Sequence, residues 1–165
     1  MRTTPLLLAV CALLPSLGCV GLLGNDDTLS SVPARQHDPE IDALMPTVPD
    51  SYAQLHPSNE PRIIFHANAG WDLERHPISG MILRRSATVV VGFRSAGACG
   101  VELMSLQAEN LGDGWTEPTL TEAWERDPDG THRSIYLHRA TPCADLDTAV
   151  ANAKTENLPG VWTAE

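Results

Sequence analysis

The sequence predicts an α+β fold: a small antiparallel sheet of roughly four or five strands, with one C-terminal helix packed on it and one disulfide bond. Three observations support this fold class. Runs of β-branched and apolar residues alternate with turn residues between positions 61 and 139. Apolar residues at helical spacing follow between positions 146 and 153. Two cysteines of this region, Cys99 and Cys143, are available to pair with each other.

The first three predicted strands are apolar runs bounded by turn residues. Arg62–His66 is short, whereas Gly80–Phe93 has a β-branched centre that is too rich in valine for a helix. Val101–Ala108 is the third strand and follows a loop of small residues, Ser95–Gly100. The stretch Asn68–Pro77, between the first two strands, is expected to be a loop of about ten residues.

A hairpin is predicted from Thr119–Arg126 and Thr131–Arg139, because the residues between them read Asp-Pro-Asp-Gly. Proline presets one turn position, and glycine accepts a positive φ. If all four turn residues form the loop, the apolar side chains of both strands share one face, whereas a three-residue turn with a glycine bulge swaps the faces of one strand. We favour the first register. The apolar side chains that it gathers are Leu120, Trp124, Ile135 and Leu137.

The C-terminal helix is predicted to begin at Thr141 as the capping residue, with Pro142 in the first helical position. Its apolar face also includes Cys143, which can therefore point toward Cys99 on the sheet. A bond between them would close a loop of about 45 residues and stabilise the fold by roughly 4 kcal/mol in the chain-entropy model. The apolar face consists of Leu146, Ala149, Val150 and Ala153.

The first residues have the features of an export signal. Met1–Thr4 carries one positive charge, and the apolar run Leu6–Leu14 is shorter than the ~20 residues that a membrane span needs. Residues 1–18 are therefore expected to be a signal peptide.

The end of this signal, Ser16-Leu17-Gly18-Cys19, resembles the lipidation motif of bacterial lipoproteins. The resemblance covers only the first 19 residues or so. It implies that Cys19 is acylated and becomes the mature N-terminus, although Ser16 and Leu17 depart from the commonest form of the motif. By the same resemblance, Val20 implies sorting to the outer membrane of a Gram-negative cell, facing the periplasm; in a Gram-positive cell the protein would lie on the cell surface. The alternative is ordinary signal cleavage after Gly18, which would give a secreted soluble protein.

The number of cysteines agrees with lipidation. The chain has four, of which Cys11 lies in the signal peptide. Three would remain in the mature protein, and an odd thiol is a liability in an oxidising compartment. Acylation of Cys19 leaves an even pair for the disulfide.

Residues 19–60 are predicted to be the lipidated N-terminus and a flexible, acidic, proline-rich tether, and residues 61–165 the globular domain. Residues 20–60 contain seven acidic residues and a single arginine, so the segment repels itself. Ile41–Met45 is an exception that could form one helical turn. Prolines, which deny backbone donors to regular structure, occur in this region and at its end: Pro33, Pro39, Pro46, Pro49, Pro57 and Pro61.

Composition and motifs exclude several functions. A net charge of −10 argues against nucleic-acid binding, which needs clustered lysine and arginine. No nucleophile motif is present, and the histidines lack the closely spaced pair that is typical of zinc sites, so we predict no catalytic residue, metal or cofactor. The alternative is a periplasmic metal-binding or hydrolytic domain that uses His66, Asp72, Glu74 and His76.

The most unusual local composition is in the predicted loop, where an aromatic residue lies among charged residues. Such loops are frequent contact sites, although Trp71 could equally close one end of the sheet. We therefore expect a non-catalytic accessory or protein-binding module of the bacterial envelope, with an inhibitor or immunity role as one form. Its partners would be the membrane, through the lipid, and an envelope or periplasmic protein. The candidate interaction loop contains Trp71, Asp72, Glu74, Arg75 and His76.

Lipidation can be tested by mass spectrometry of the mature protein. We expect the first residue to be Cys19 with lipid attached, and a Cys19→Ala variant to lack the lipid and leave the membrane fraction. An unmodified N-terminal Cys19 thiol would instead indicate ordinary signal cleavage.

Overall fold

The computed structural model describes residues 29, 37–67, 69–126, 132–134 and 138–165. The regular elements in these residues are numbered in chain order. The helices are α1 (Pro39–Asp42), a 3-10 helix (Met45–Thr47), α2 (Val48–Leu55) and α3 (Cys143–Glu156). The strands are β1 (Glu60–His66), β2 (Asp72–Arg75), β3 (Ile82–Ser95), β4 (Ala98–Glu109), β5 (Thr119–Glu122), β6 (Trp124–Arg126), β7 (His132–Ser134), β8 (His138–Thr141) and β9 (Trp162–Thr163).

Seven of these strands form one antiparallel sheet, with the central order β5-β4-β3-β1-β9. β2 pairs with the first part of β3 and β1 with its last part, while β8 pairs with the start of β4. The α+β class is therefore confirmed, but the sheet is larger than the four or five strands predicted. The difference arises because β2 and β9 are short strands in stretches that the sequence pattern does not mark.

The two longest strands, β3 and β4, form a hairpin joined by only two residues, Ala96 and Gly97. Both have positive φ values, 47° and 84°, and Ser95 pairs with Ala98 across the turn. Two positive φ values match the right-handed twist of the strands, so this turn prolongs the ladder to its end. The predicted loop Ser95–Gly100 is thus mostly strand.

Helices cover both faces of the sheet, which explains the uninterrupted valine run. Val89 and Val91 face the N-terminal helices, whereas Val90 faces α3. In a strand that is buried on both faces, apolar residues need not alternate with polar ones. The core on the side of α3 also contains Ile63, Phe65, Val101, Leu146 and Val150, and that on the other side contains Ile41, Met45, Tyr52, Ile64, Phe93 and Met104.

Helix α3 has the predicted buried face, and Cys99 and Cys143 form the predicted disulfide, with a Cα–Cα distance of 5.1 Å. The predicted start was wrong by one residue. Pro142 precedes the first helical residue, and Thr141 ends β8, where it pairs with Cys99. The residue before a proline favours extended backbone, so Thr141 continues the strand.

The prediction of an extended tether was wrong for residues 37–60, because α1, the 3-10 helix and α2 pack on the sheet. A proline occupies the first turn of each of these three helices: Pro39, Pro46 and Pro49. At that position the missing N–H costs nothing and the fixed φ favours the helix. Asp38 caps α1, since its Oδ1 accepts from the backbone N–H groups of Glu40 and Ile41 at 2.9 and 3.1 Å. The side chains that these helices bury are Ile41, Met45, Val48 and Tyr52.

The region of the predicted hairpin contains β5, β6 and β7 and the first residues of β8. β5 joins the large sheet, and Leu120 pairs with Leu106 of β4. β6 and β7 form a separate two-stranded sheet in which Trp124 pairs with Ser134, one residue away from the predicted register. The register prediction was therefore wrong. The turn 127–130, Ile135 and Leu137 lie outside the described residues, as does Cys19.

Within the described part of the chain, no helix combines the length and the apolar character needed to cross a membrane.

Substitution of Gly92 can test the close packing between the sheet and α3. A methyl group at this position would lie 2.7 Å from both Ile63 Cγ2 and Leu146 Cδ1. We expect Gly92→Ala to lower the free energy of unfolding by about 1–3 kcal/mol, measured by urea denaturation. Gly114→Ala is the control, because a methyl group there meets nothing within 4 Å. Equal stabilities of the two variants would contradict this packing.

Candidate interaction site

The stretch predicted to be an interaction loop is mainly a strand and a tight turn. After Trp71 the chain forms β2, in which Asp72 pairs with Ser86 and Leu73 with Arg85. The prediction of a ten-residue loop was therefore wrong. Its residues build one arm of a β2–β3 hairpin, because the apolar Leu73 and the polar residues around it alternate as in a strand with two different faces.

Trp71 holds this arm to the body of the domain. The Arg85 guanidinium lies between two indole rings, 4.3 Å from the Trp71 ring centroid and 4.7 Å from that of Trp115. Glu40 of α1 completes the group: its Oε1 lies 2.6 Å from Arg85 Nη2, and its Oε2 accepts a hydrogen bond from Trp71 Nε1 at 3.2 Å. The group thus joins β2, β3, α1 and the β4–β5 connection.

Arg75 and His76 organise the turn between β2 and β3. His76 Nδ1 accepts from the backbone N–H groups of Ile78 and Ser79 at 3.3 and 3.1 Å, and Arg75 Nη1 donates to the Gly80 carbonyl at 3.3 Å. The His76 backbone N–H donates to the Met81 carbonyl at 2.7 Å. These contacts hold the backbone of the turn in one conformation.

The turn presents large apolar side chains to solvent. Ile78 is 92% exposed and Met81 is 64% exposed. Leu111, in the β4–β5 connection, is 63% exposed and lies at the same end of the sheet, because Asn110 Nδ2 donates to the Ile82 carbonyl at 2.7 Å. We call Ile78, Met81 and Leu111 the apolar tip.

The apolar tip was not predicted from the sequence. The sequence feature that could have indicated it is Ile78 in Pro77-Ile78-Ser79-Gly80. A large apolar residue is unusual in such a turn, where polar residues are common. Of the predicted site residues, Arg75 and His76 hold the turn that carries the tip, and Trp71 restrains the arm through Arg85.

The outer edge of β2 lies next to the tip. In the described part of the chain, only β3 pairs with β2. Leu73 is 47% exposed on one face of this strand. Glu74 lies on the other face, where its Oε2 is 2.9 Å from Arg84 Nε. Among the described residues, β2 is therefore an outer strand of the sheet.

His66 lies away from this arm and is fully buried at the end of β1. Its Nε2 is 2.8 Å from Asp42 Oδ1, and His37 Nδ1 is 3.2 Å from Asp42 Oδ2. The register places Asp72 and Glu74 on the opposite face of the sheet from His66.

The structure therefore does not assemble the alternative site of His66, Asp72, Glu74 and His76. In the residues that the structure describes, no group of three or more histidine, cysteine, aspartate or glutamate side chains is arranged to hold a metal ion.

A second buried polar group connects α2 to the sheet. Glu102 of β4 is 1% exposed, and its Oε2 accepts a hydrogen bond from Tyr52 Oη at 2.8 Å. His56 Nε2 lies 3.4 Å from Glu102 Oε1, close enough for an ion pair but too far for good hydrogen-bond geometry. Asn59 Nδ2 donates to Tyr52 Oη at 3.1 Å. The sequence signal, a single acid within an apolar strand, is weak because such residues are usually exposed.

Comparisons of the chain with family models, curated proteins and solved structures found no match. The geometry of the described residues is thus the basis for the function proposed below.

The Tyr52–Glu102 hydrogen bond can be measured by a double-mutant cycle. We expect Tyr52→Phe to lower the free energy of unfolding by about 1–3 kcal/mol, because a buried carboxylate loses its donor. The same change in a Glu102→Gln background should cost less, since no charge is then left unsatisfied. Additive effects of the two substitutions, measured by urea denaturation, would contradict this coupling.

Proposed function

We propose that this protein is an exported lipoprotein of the bacterial envelope, anchored through Cys19, and that it binds another protein through the apolar tip. The role is that of a non-catalytic accessory module, of which an inhibitor or immunity protein is one form. The proposed location is the periplasmic side of the outer membrane. The observation that supports this proposal most strongly is the exposure of Ile78, Met81 and Leu111 at one end of the sheet.

The grouping of these side chains supports a contact site. Single exposed apolar residues are common on protein surfaces and need no explanation. Three at one end of a sheet, with charged side chains such as Arg75 beside them, match the pattern of a protein–protein contact. Leu73 extends the exposed apolar surface along β2.

The support beneath the tip favours binding without rearrangement. The Trp71–Arg85–Trp115 stack and the hydrogen bonds of His76 restrain the arm before a partner arrives. A restrained contact surface loses less conformational entropy on association.

Anchoring and binding are compatible in this proposal. The lipidated Cys19 precedes the described helices in the chain, while the apolar tip is formed by the β2–β3 turn and the β4–β5 connection. The cysteine pair Cys99–Cys143 is bonded, which suits an oxidising compartment.

The proposal can be tested with a charge at the centre of the tip. Wild type, Ile78→Asp and Ala144→Asp proteins are purified from envelope fractions in mild detergent, and co-purified proteins are quantified by mass spectrometry. We expect a specific partner to be reduced tenfold or more by Ile78→Asp, because burying an unpaired carboxylate is costly.

Ala144→Asp is the matched control. It adds the same charge at an exposed position in the first turn of α3, at the opposite end of the sheet from the tip. Equal recovery of every enriched protein with both variants would contradict the proposal.

A further inference from the structure

Met81, in the apolar tip, is the exposed methionine among the described residues. The chain has four methionines, of which Met1 lies in the predicted signal peptide. Of the three described ones, Met81 is 64% exposed, whereas Met45 is 1% and Met104 is 0% exposed. A dissolved oxidant can therefore reach the Met81 sulfur, while packed side chains of the core cover the other two sulfurs.

Access to the sulfur decides how fast a methionine is oxidised. A cysteine must first lose a proton to become reactive, whereas a thioether has no such proton. A peroxide transfers an oxygen atom to the methionine sulfur: its O–O bond breaks while the S–O bond forms. The sulfur is oxidised to the sulfoxide, and the peroxide is reduced to water or to an alcohol.

The described cysteines do not compete for the oxidant. Cys99 and Cys143 are joined to each other, so neither offers the thiolate that a peroxide attacks. Among the sulfur atoms of the described residues, that of Met81 is therefore the one most open to oxidation.

The backbone at Met81 is held by contacts that do not involve the sulfur. The His76 N–H donates to the Met81 carbonyl at 2.7 Å, and the Met81 N–H donates to Ser79 Oγ at 3.4 Å. Oxidation of Met81 therefore changes the surface of the turn and leaves its backbone in place. Oxidation of the buried Met45 or Met104 would instead place a polar group in the core.

A sulfoxide would change the chemistry of the apolar tip. Its other members, Ile78 and Leu111, have hydrocarbon side chains and are 92% and 63% exposed. A sulfoxide is polar, so burying it against a partner without a hydrogen-bond donor costs free energy. Oxidation of this single sulfur therefore makes the tip less suited to an apolar contact.

We propose that Met81 is a selective site of oxidation by peroxides, and that its sulfoxide weakens binding at the apolar tip. Oxidation thus regulates the contact site without unfolding the domain. The effect on binding rests on the function proposed above, whereas the selective oxidation does not.

The first test measures the rate of oxidation at each methionine. The full chain in detergent is treated with hydrogen peroxide, and its peptides are quantified over time by mass spectrometry. We expect Met81 to gain oxygen about tenfold faster, or more, than Met45 and Met104. In urea, where the chain is unfolded, the three rates should be similar, because burial no longer separates them. Similar rates in the folded protein would overturn the proposal.

The second test measures the effect on binding. Tagged wild-type and variant proteins, with and without peroxide treatment, are incubated with detergent extracts of envelopes, and captured proteins are quantified. We expect peroxide to reduce the partner that Ile78→Asp also reduces, by about fivefold or more, because the sulfoxide lacks a donor in the contact. Met81→Leu keeps the apolar volume without the sulfur, so peroxide should not affect its binding. Met81→Gln, which carries a polar group at this position, should bind weakly without treatment.

The outcomes separate this inference from the proposed function. Loss of the partner with Ile78→Asp, but not with peroxide or Met81→Gln, would overturn the regulation by Met81 and leave the contact site intact. Equal losses in peroxide-treated wild type and Met81→Leu would also overturn it, because the oxidised group would then lie elsewhere. Equal recovery with Ile78→Asp and Ala144→Asp would contradict the proposed function, and with it the effect of Met81 on binding.

Discussion

Burial of the β3–β4 hairpin on both faces is the constraint on which the rest of the structure depends. Its valines alternate between two cores, so each face must be covered by another part of the chain. Helix α3 covers one face and is joined to β4 by the Cys99–Cys143 disulfide. The N-terminal helices cover the other. Without residues 37–60, Val89, Val91 and Phe93 would face water, and each exposed large apolar side chain costs about 1.5–3 kcal/mol.

Polar contacts determine where the N-terminal helices lie on that face. Hydrophobic burial is not directional and allows several positions of the helices. The contacts of Asp42 with His66 and of Tyr52 with Glu102 form in only one of them. A hydrogen bond to a buried carboxylate adds little net stability, but a buried carboxylate without its donor costs much more free energy. These contacts therefore mainly destabilise other positions of the helices on the sheet. Glu40 adds a third contact through Arg85, and the same contact restrains the arm that carries the apolar tip.

Local patterns predict the elements that have them, and the rest depends on tertiary contacts. The valine run, the face of α3 and the disulfide could be predicted, because periodicity and cysteine number are properties of the sequence itself. Apart from the one helical turn allowed at Ile41–Met45, the helices at 39–55 were not predicted, because prolines were counted as helix breakers. The apolar spacing of Ile41, Met45, Val48 and Tyr52 was the stronger signal, since prolines in first turns favour helices. Pairing of β2 and β9 and the exposure of Ile78 depend on neighbours that the sequence alone does not place.

The acidic residues of the N-terminal region have a structural role, because the helices that contain them pack on the sheet. Of the seven in residues 20–60, five lie in the described segment: Asp38, Glu40, Asp42, Asp50 and Glu60. Their charge was attributed to a self-repelling tether, yet Asp38 caps α1, Glu40 holds Arg85, and Asp42 holds two histidines. Charges with such partners order a segment, because each fixes one position relative to the sheet. The acidity of the N-terminal region therefore supports the folding of this segment onto the sheet.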